Sequence, residues 1–362
     1  MKQTFDYSLS KDDTLLIKGI AICLMLWHHL FYMHPEFGFF VYKTGQFGKV
    51  CVALFLFLSA YGLSVQYTKT AGNPVADTLK FTLKRLAKFY ANYWVVFLIF
   101  VPIGIFVFGR GMDIPYGENN HIKMLIKDFL GINSFQSYNI TWWFNQLIII
   151  LYLLFPILYF GAKKLSLLLP IALYLLTRLK TGILPNEVIF WSVHFSFGIL
   201  FAQNIEKINR FFNRFNIWLL LFCLSASFLL LFLLRLRFMP TIIDAFLAVN
   251  IAVLAILTFR HIHTYIHTYI HTYIHTYIRK QILSKTLCFL GKHSINIYLL
   301  HTFIQGYFFR DFIYSFRYPL LMFTVSMTCS LLLSIGLEYL KKTVKLPVLI
   351  KNVTTKIEKM NF

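Results

Sequence analysis

Acidic residues are scarce in this chain: 14 Asp and Glu stand against 35 Lys and Arg in 362 residues, and charged residues of both signs make up only 14%. A soluble domain carries roughly 25% charged residues. With 58% hydrophobic residues and a mean hydropathy of +0.65, a water-soluble fold has too little polar surface to cover itself. Cysteine is also sparse. Cys23, Cys51, Cys223, Cys288 and Cys329 all lie in apolar runs without a CxxC or any paired spacing, which excludes a disulfide framework and a thiolate metal site. No bound metal or cofactor is expected. A secretory signal is missing as well: Lys18 interrupts the first apolar run and no A-x-A-like cleavage site follows, so this run is expected to stay as an anchor.

Long apolar runs are abundant. A stretch of roughly 20 residues crosses a ~30 Å hydrocarbon core as a helix. Ten such runs are predicted, at 14–33, 48–66, 89–109, 141–161, 165–179, 187–205, 215–236, 241–259, 286–308 and 319–340, the fifth being short. The chain therefore reads as an all-α polytopic integral membrane protein of about ten transmembrane helices, one membrane domain over 1–362. This topology puts 24 of the 35 Lys and Arg on the side of the termini, so the positive-inside rule predicts that both termini are cytoplasmic. The net charge of +21 then reads as cytoplasmic loops facing anionic lipid headgroups, with no nucleic acid as partner. Residues 110–140 form the longest polar connection on the opposite side, with a short amphipathic helix expected at HIKMLIKDFL.

Two further segments read plainly. His-Thr-Tyr-Ile occurs four times in tandem from His263, within a predicted cytoplasmic loop 261–280. His263, His267, His271 and His275 would share a drifting helical stripe, but no carboxylate or Cys completes a metal site, and an expanded repeat tolerated by a loop accounts for it. Residues 341–362 form a basic cytoplasmic tail, and Glu338 is expected to pair with Lys341 or Lys342 at i, i+3 or i, i+4. Asp244 and Glu187 head their predicted helices, where the helix dipole favours an acid.

Chemistry concentrates in the first run, TLLIKGIAICLMLWHHLF. Ionisable groups inside hydrocarbon are costly and usually face a bundle interior, where they act. At about 100° per residue, the step from Lys18 to His29 returns to within about 20° of the same face, about 16 Å along the axis. His28 falls about 80° away, on the flank. Imidazole, which in an unperturbed side chain titrates near pH 6.5, suits a general base at neutral pH. His29 is the candidate base and Lys18 a cation placed to meet phosphates or polarise a carbonyl, against the plain alternatives of a core histidine and a snorkelling lysine. Trp142 and Trp143 open the fourth run, where an interfacial aromatic belt is the default reading and stacking on a sugar the sharper one.

Several patterns resemble acyltransferase family 3, a family of integral-membrane acyltransferases. The first run is similar to its signature of Arg or Lys, ten residues, then His, here Lys18-GIAICLMLWH-His29 with Lys where Arg is commoner. FLFLSAYGL resembles the F-x-x-S-G-Y element and contains Ser59 and Tyr61, with Ala60 in place of Gly. KRLAKFYANYW resembles the basic R-x-x-R stretch, here Arg85 and Lys88, followed by Tyr90, Tyr93 and Trp94. TWWFNQLIIILYLLFP and LGKHSINIYLLH resemble further segments that end in Pro156 and His301. The similarity runs from residue 14 to about 340. It implies about ten helices and an O-acyltransferase that takes acetyl from acetyl-CoA, a donor substrate and not a bound cofactor, to a hydroxyl of a bacterial envelope carbohydrate such as O-antigen, capsule or exopolysaccharide. The implied location is the bacterial inner membrane.

Acyl transfer to an alcohol needs a base for the hydroxyl proton and positive charge where the thioester oxygen becomes anionic. With no G-x-S-x-G and no Ser, His and Asp set, direct transfer is expected over an acyl-Ser intermediate. His29 and Lys18 are the expected catalytic pair; Lys18, Arg85 and Lys88 are expected to hold the phosphates of acyl-CoA. His28, Ser59, Tyr61, Trp143 and His301 are expected to bind the acceptor or support the site. The competing reading is a transporter or flippase for a glycan or small metabolite, with Lys18, His29 and His301 lining its path. The matched broken helices common in secondary transporters are not evident in the two halves.

Overall fold

The computed structural model describes residues 4–70, 74–117, 120–132, 136–179, 184–238, 241–261 and 274–360. Every regular element among the described residues is helical. The main helices are α1 (Lys11–Phe31), α2 (Phe39–Phe47), α3 (Val50–Thr70), α4 (Pro74–Phe106), α5 (His121–Phe129), α6 (Trp143–Leu165), α7 (Leu168–Leu179), α8 (Asn186–Gln203), α9 (Ile205–Phe212), α10 (Ile217–Phe238), α11 (Ile243–Ile256), α12 (Ile274–Lys292), α13 (Ser294–Thr302), α14 (Pro319–Thr343) and α15 (Leu346–Glu358).

Among the described residues, seven spans, α2 and α3 counting as one, are long and apolar enough to cross a membrane, and eight if the bent pair α8 and α9 is one span, with 74° between them. These cover eight of the ten apolar runs. Of the other two, the fifth forms only the 12-residue α7. The ninth is divided into α12, α13 and a wide π-type turn over Phe303–Phe308. The exposed faces suit lipid: on α10, Phe222, Leu229, Leu230 and Leu233 are all more than half exposed, an apolar stripe that hydrocarbon accepts and water does not. The side chains of the His-Thr-Tyr-Ile repeat lie outside the described residues.

The chain packs as two units, Met1–Gln66 with Ile157–Ser294, and Tyr67–Pro156 with Ile295–Phe362. In the first, α1 begins at a capping box: the Ser10 hydroxyl accepts from Asp13 N–H, and the Asp13 carboxylate accepts from Ser10 N–H at 2.9 Å. The segment ahead of it is held by side chains. Asn213 Oδ1 accepts from Phe5 N–H and Asn209 Oδ1 from Tyr7 N–H, both at 2.8 Å. α1 lies directly against α12. A Cβ on Gly19 would sit 2.1 Å from Leu287 O, and one on Gly291 would sit 1.8 Å from Leu15 O, so the absence of side chains at both positions is what lets the two backbones touch. α8 packs on α3 through Phe57 and Phe201, edge to face at 5.5 Å. Asp244, fully buried in the first turn of α11, receives Arg235 Nε at 2.7 Å. Favourable placement at a helix start is therefore not its whole role: α10 supplies the cation that a fully buried carboxylate requires.

In the second unit, α15 lies along α4, and Lys84 of α4 pairs with Glu358. The basic tail is thus ordered helix through 358, and its first lysine is not a surface group. Lys341 is 3% exposed and donates to Asn92 Oδ1 of α4 at 2.7 Å, to Asn296 Oδ1 of α13 at 2.6 Å and to Glu338 Oε1 at 3.0 Å. The expected i, i+3 pair with Glu338 is present. All three ammonium donors are used.

Candidate active site

α1 runs unbroken from Lys11 to Phe31, so the eleven-residue step between Lys18 and His29 keeps both on one face. Both side chains are half-buried. Lys18 precedes Gly19, one of the two glycines at which α1 and α12 meet backbone to backbone. At the other end, His28 Nδ1 lies 2.8 Å from Gly45 O on α2. That carbonyl only accepts, so Nδ1 of His28 carries the hydrogen. The His28 ring stacks on Tyr32 at 4.5 Å and meets His29 edge to face at 4.9 Å. His28 is therefore fixed, and it in turn fixes the side of the His29 ring.

Two residues of the second motif lie in the same unit. Ser59 is half-buried on α3. The Tyr61 hydroxyl accepts from Leu9 N–H at 2.9 Å, which places it beneath the segment that leads into α1. Its hydroxyl thereby holds the start of the helix that carries Lys18 and His29.

The second unit contains Arg85, Lys88, Trp143 and His301. Arg85 is half-buried with its guanidinium 5.5 Å from the Phe81 ring, and Lys88, one turn on, is exposed. Trp143 is half-buried with an edge contact to Phe144. Trp142 departs from the aromatic-belt expectation. It is 1% exposed, meets Tyr93 at 5.0 Å and Phe97 and Phe303 at 5.7 Å, and donates Nε1–H to Leu299 O at 3.4 Å. A ring that finds both apolar neighbours and an acceptor inside the unit gains nothing from the headgroup region.

His301 is fully buried and sits in a polar row that no local pattern announces. Its Nδ1 lies 2.7 Å from Tyr298 O, and Nε2 is 3.3 Å from the Thr302 hydroxyl. That hydroxyl is 3.0 Å from Thr141 Oγ1, and Thr141 donates to Asn139 Oδ1 at 2.7 Å. Nδ1 must carry a hydrogen to meet a carbonyl. Two hydroxyl hydrogens then serve three contacts from Nε2 to Asn139, and a proton arriving on Nε2 would complete the row. Tyr298 closes its side by donating to Thr141 O and Asn145 Oδ1, each at 3.0 Å. Thr141, Thr302, Asn139 and Asn145 are absent from the sequence-based set because each is an ordinary polar residue: Thr141 and Thr302 meet across 161 residues, Asn145 meets Tyr298 across 153, and Asn139 joins only through Thr141. Asn296 and Lys341 escape it for the same reason.

An unbroken helix with a half-buried lysine and histidine on one face, in a bundle of membrane-length helices, is the arrangement the family signature requires. The acyltransferase domain of that family matches residues 15–339. The chain belongs to acyltransferase family 3. It is a multi-pass membrane acyltransferase, and the match spans both units. No curated protein and no solved structure matches it.

Proposed function

We propose that this acyltransferase is an O-acetyltransferase of the bacterial inner membrane, with both termini in the cytoplasm, which moves acetyl from acetyl-CoA to a hydroxyl of an envelope carbohydrate. The observation that carries the reading is the shared face of Lys18 and His29 on α1. His29 takes the proton of the acceptor hydroxyl, whose oxygen attacks the thioester carbonyl. The tetrahedral oxyanion collapses, the C–S bond breaks, and CoA leaves as the thiolate, which recovers a proton. Lys18, Arg85 and Lys88 supply positive charge for the phosphates of CoA, and Lys18 also stands for the charge that develops on the carbonyl oxygen. His28 orients His29. Ser59, Tyr61, Trp143 and His301 support the site or the acceptor.

The test is base-labile acetate on surface polysaccharide, measured in a knockout host complemented with the wild-type chain or with His29→Ala at matched expression. Acetate restored by wild type and reduced about 10²–10⁴-fold in initial rate by His29→Ala supports the reading. Equal restoration by both removes His29 from the role of base. Unchanged acetate with wild type itself points to another acyl group or to transport.

A further inference from the structure

We propose that Arg110, held against Tyr307 and Tyr138, is a recognition site for the carboxylate of an acidic sugar, so that the acceptor is an anionic carbohydrate. The inference deepens the reading of the chain as a glycan acyltransferase and rests on it.

The guanidinium is built in from several directions. α4 ends at Phe106; Gly109, at φ +63°, turns the chain, and Arg110 N–H then reaches Gly104 O at 2.9 Å. Tyr138 donates its hydroxyl to Arg110 O at 2.8 Å, and Tyr138 O accepts from Arg110 Nη2 at 3.3 Å. This fit requires Gly104, since a Cβ there would lie 2.4 Å from the Tyr138 hydroxyl. The Tyr307 ring lies against the charge, its centroid 3.7 Å from Arg110 Cζ, and its hydroxyl accepts from Ile140 N–H at 3.0 Å, which fixes the ring. All of these residues belong to the second unit.

A charge so placed would ordinarily meet a carboxylate, and among the described residues none is paired with it. The carboxylate of nearby Asp128 accepts instead from the Tyr116 hydroxyl and from Tyr138 N–H. Arg110 Nε is buried without an acceptor. The next residue after Tyr138 repeats the pattern: Asn139 Oδ1 accepts from Thr141 N–H and the Thr141 hydroxyl, which settles the orientation of the amide and leaves Nδ2 buried without an acceptor. Both orphan groups are donors. Buried donors are almost always paired, so a surplus of this kind calls for a ligand rich in acceptors.

An acidic sugar fits best. A guanidinium held against a ring is fixed in place, and its planar fork is the geometry that a carboxylate meets with two parallel hydrogen bonds. The Asn139 amide, one residue from the clamping tyrosine, is a second unsatisfied donor in the same segment. A lipid phosphate could meet the same fork, so competition by anionic vesicles is the arm that separates the two.

Saturation-transfer NMR on the purified full chain, with a glucuronate-containing tetrasaccharide and a neutral glucose tetrasaccharide as probes, tests this without turnover. The expected result is transfer to the acidic probe about tenfold above the neutral one, lost in Arg110→Gln and retained in His29→Ala. Arg110→Lys, which keeps the charge and loses the fork, is expected to weaken it too and replaces Arg110→Gln if that variant does not fold. Equal transfer to both probes, or transfer unaffected by either Arg110 variant, overturns the proposal. So does displacement of the acidic probe by phosphatidylglycerol vesicles in wild type alone, which would assign Arg110 to lipid phosphate. Acetyl transfer from labelled acetyl-CoA is measured separately: acidic-probe binding with no transfer to any glycan would sink the enzymatic reading and leave the site standing.

Discussion

Arg260 donates Nη1–H to Asp13 Oδ2 at 2.9 Å, joining the wide turn at the end of α11 to the capping box that starts α1. The same guanidinium donates to Ser8 O at 3.0 Å and to Asp6 O. One arginine therefore holds both the segment before α1 and its first turn. The pair serves Lys18 and His29 by fixing where their helix begins.

Asp13→Ala removes the capping box and leaves Arg260 without its carboxylate. The expected cost is about 1–3 kcal/mol, a cap and a charged hydrogen bond together, reduced by the partial exposure of Arg260. Thermal unfolding of the purified protein checks it; an unchanged midpoint would show that the Ser8 and Asp6 carbonyls suffice to hold Arg260.

Gly19→Ala and Gly291→Ala each place a Cβ well inside contact distance of a backbone carbonyl, so α1 and α12 must separate. A cost of about 1–3 kcal/mol is expected from overpacking. Because Lys18 adjoins the contact, KM for acetyl-CoA is expected to rise more in Gly19→Ala than in Gly291→Ala. Equal effects on KM would detach Lys18 from the donor.

Lys341→Met strips Glu338, Asn92 and Asn296 of their common donor. A loss on the order of 2–3 kcal/mol is expected, below that of a fully buried pair because the Glu338 side chain is 42% exposed. The double variant Lys341→Met, Glu338→Leu is expected to recover at least half of the loss, since no charge is then left unmatched. Chemical denaturation of the three proteins decides it, and a double variant worse than the single would mean that the two asparagines carry the network.

The hydrogen bond and charge of Lys84, with Lys80 and Lys88 further off, hold the Glu358 carboxyl below its usual range. A carboxyl whose folded pKa is depressed adds stability above its unfolded pKa and loses it as pH falls through the folded one. Docking of α15 on α4 is therefore expected to be complete at neutral pH and to loosen as pH drops below about 4.5. Amide exchange across 346–358 follows it, and in Glu358→Gln the pH dependence is expected to vanish. A wild-type profile flat through the acid range would show that packing of α15 on α4 holds the helix without the ion pair.

Much of the architecture was legible in the residue order, because hydropathy and helical periodicity are local properties. The apolar runs marked the membrane-length helices, the eleven-residue step put Lys18 and His29 on one face, and Glu338 with Lys341 followed from i, i+3 spacing. The family could be read for the same reason, since its signature lies within single helices. Local pattern failed where a residue's neighbours come from elsewhere in the chain. Trp142 looks like a belt residue until Tyr93 and Phe303 enclose it, and Asp244 looks like a helix-start acid until Arg235 meets it. His301 gains its polar row only when Thr302 meets Thr141, 161 residues away, and Arg110 its clamp only when Tyr138 and Tyr307 close on it. Burial and hydrogen-bond partnership are properties of the packed chain. Residue order was enough to set the class of protein and to put Lys18 and His29 on one helix face; which polar groups are satisfied, and which still lack a partner, emerged only when distant helices packed together.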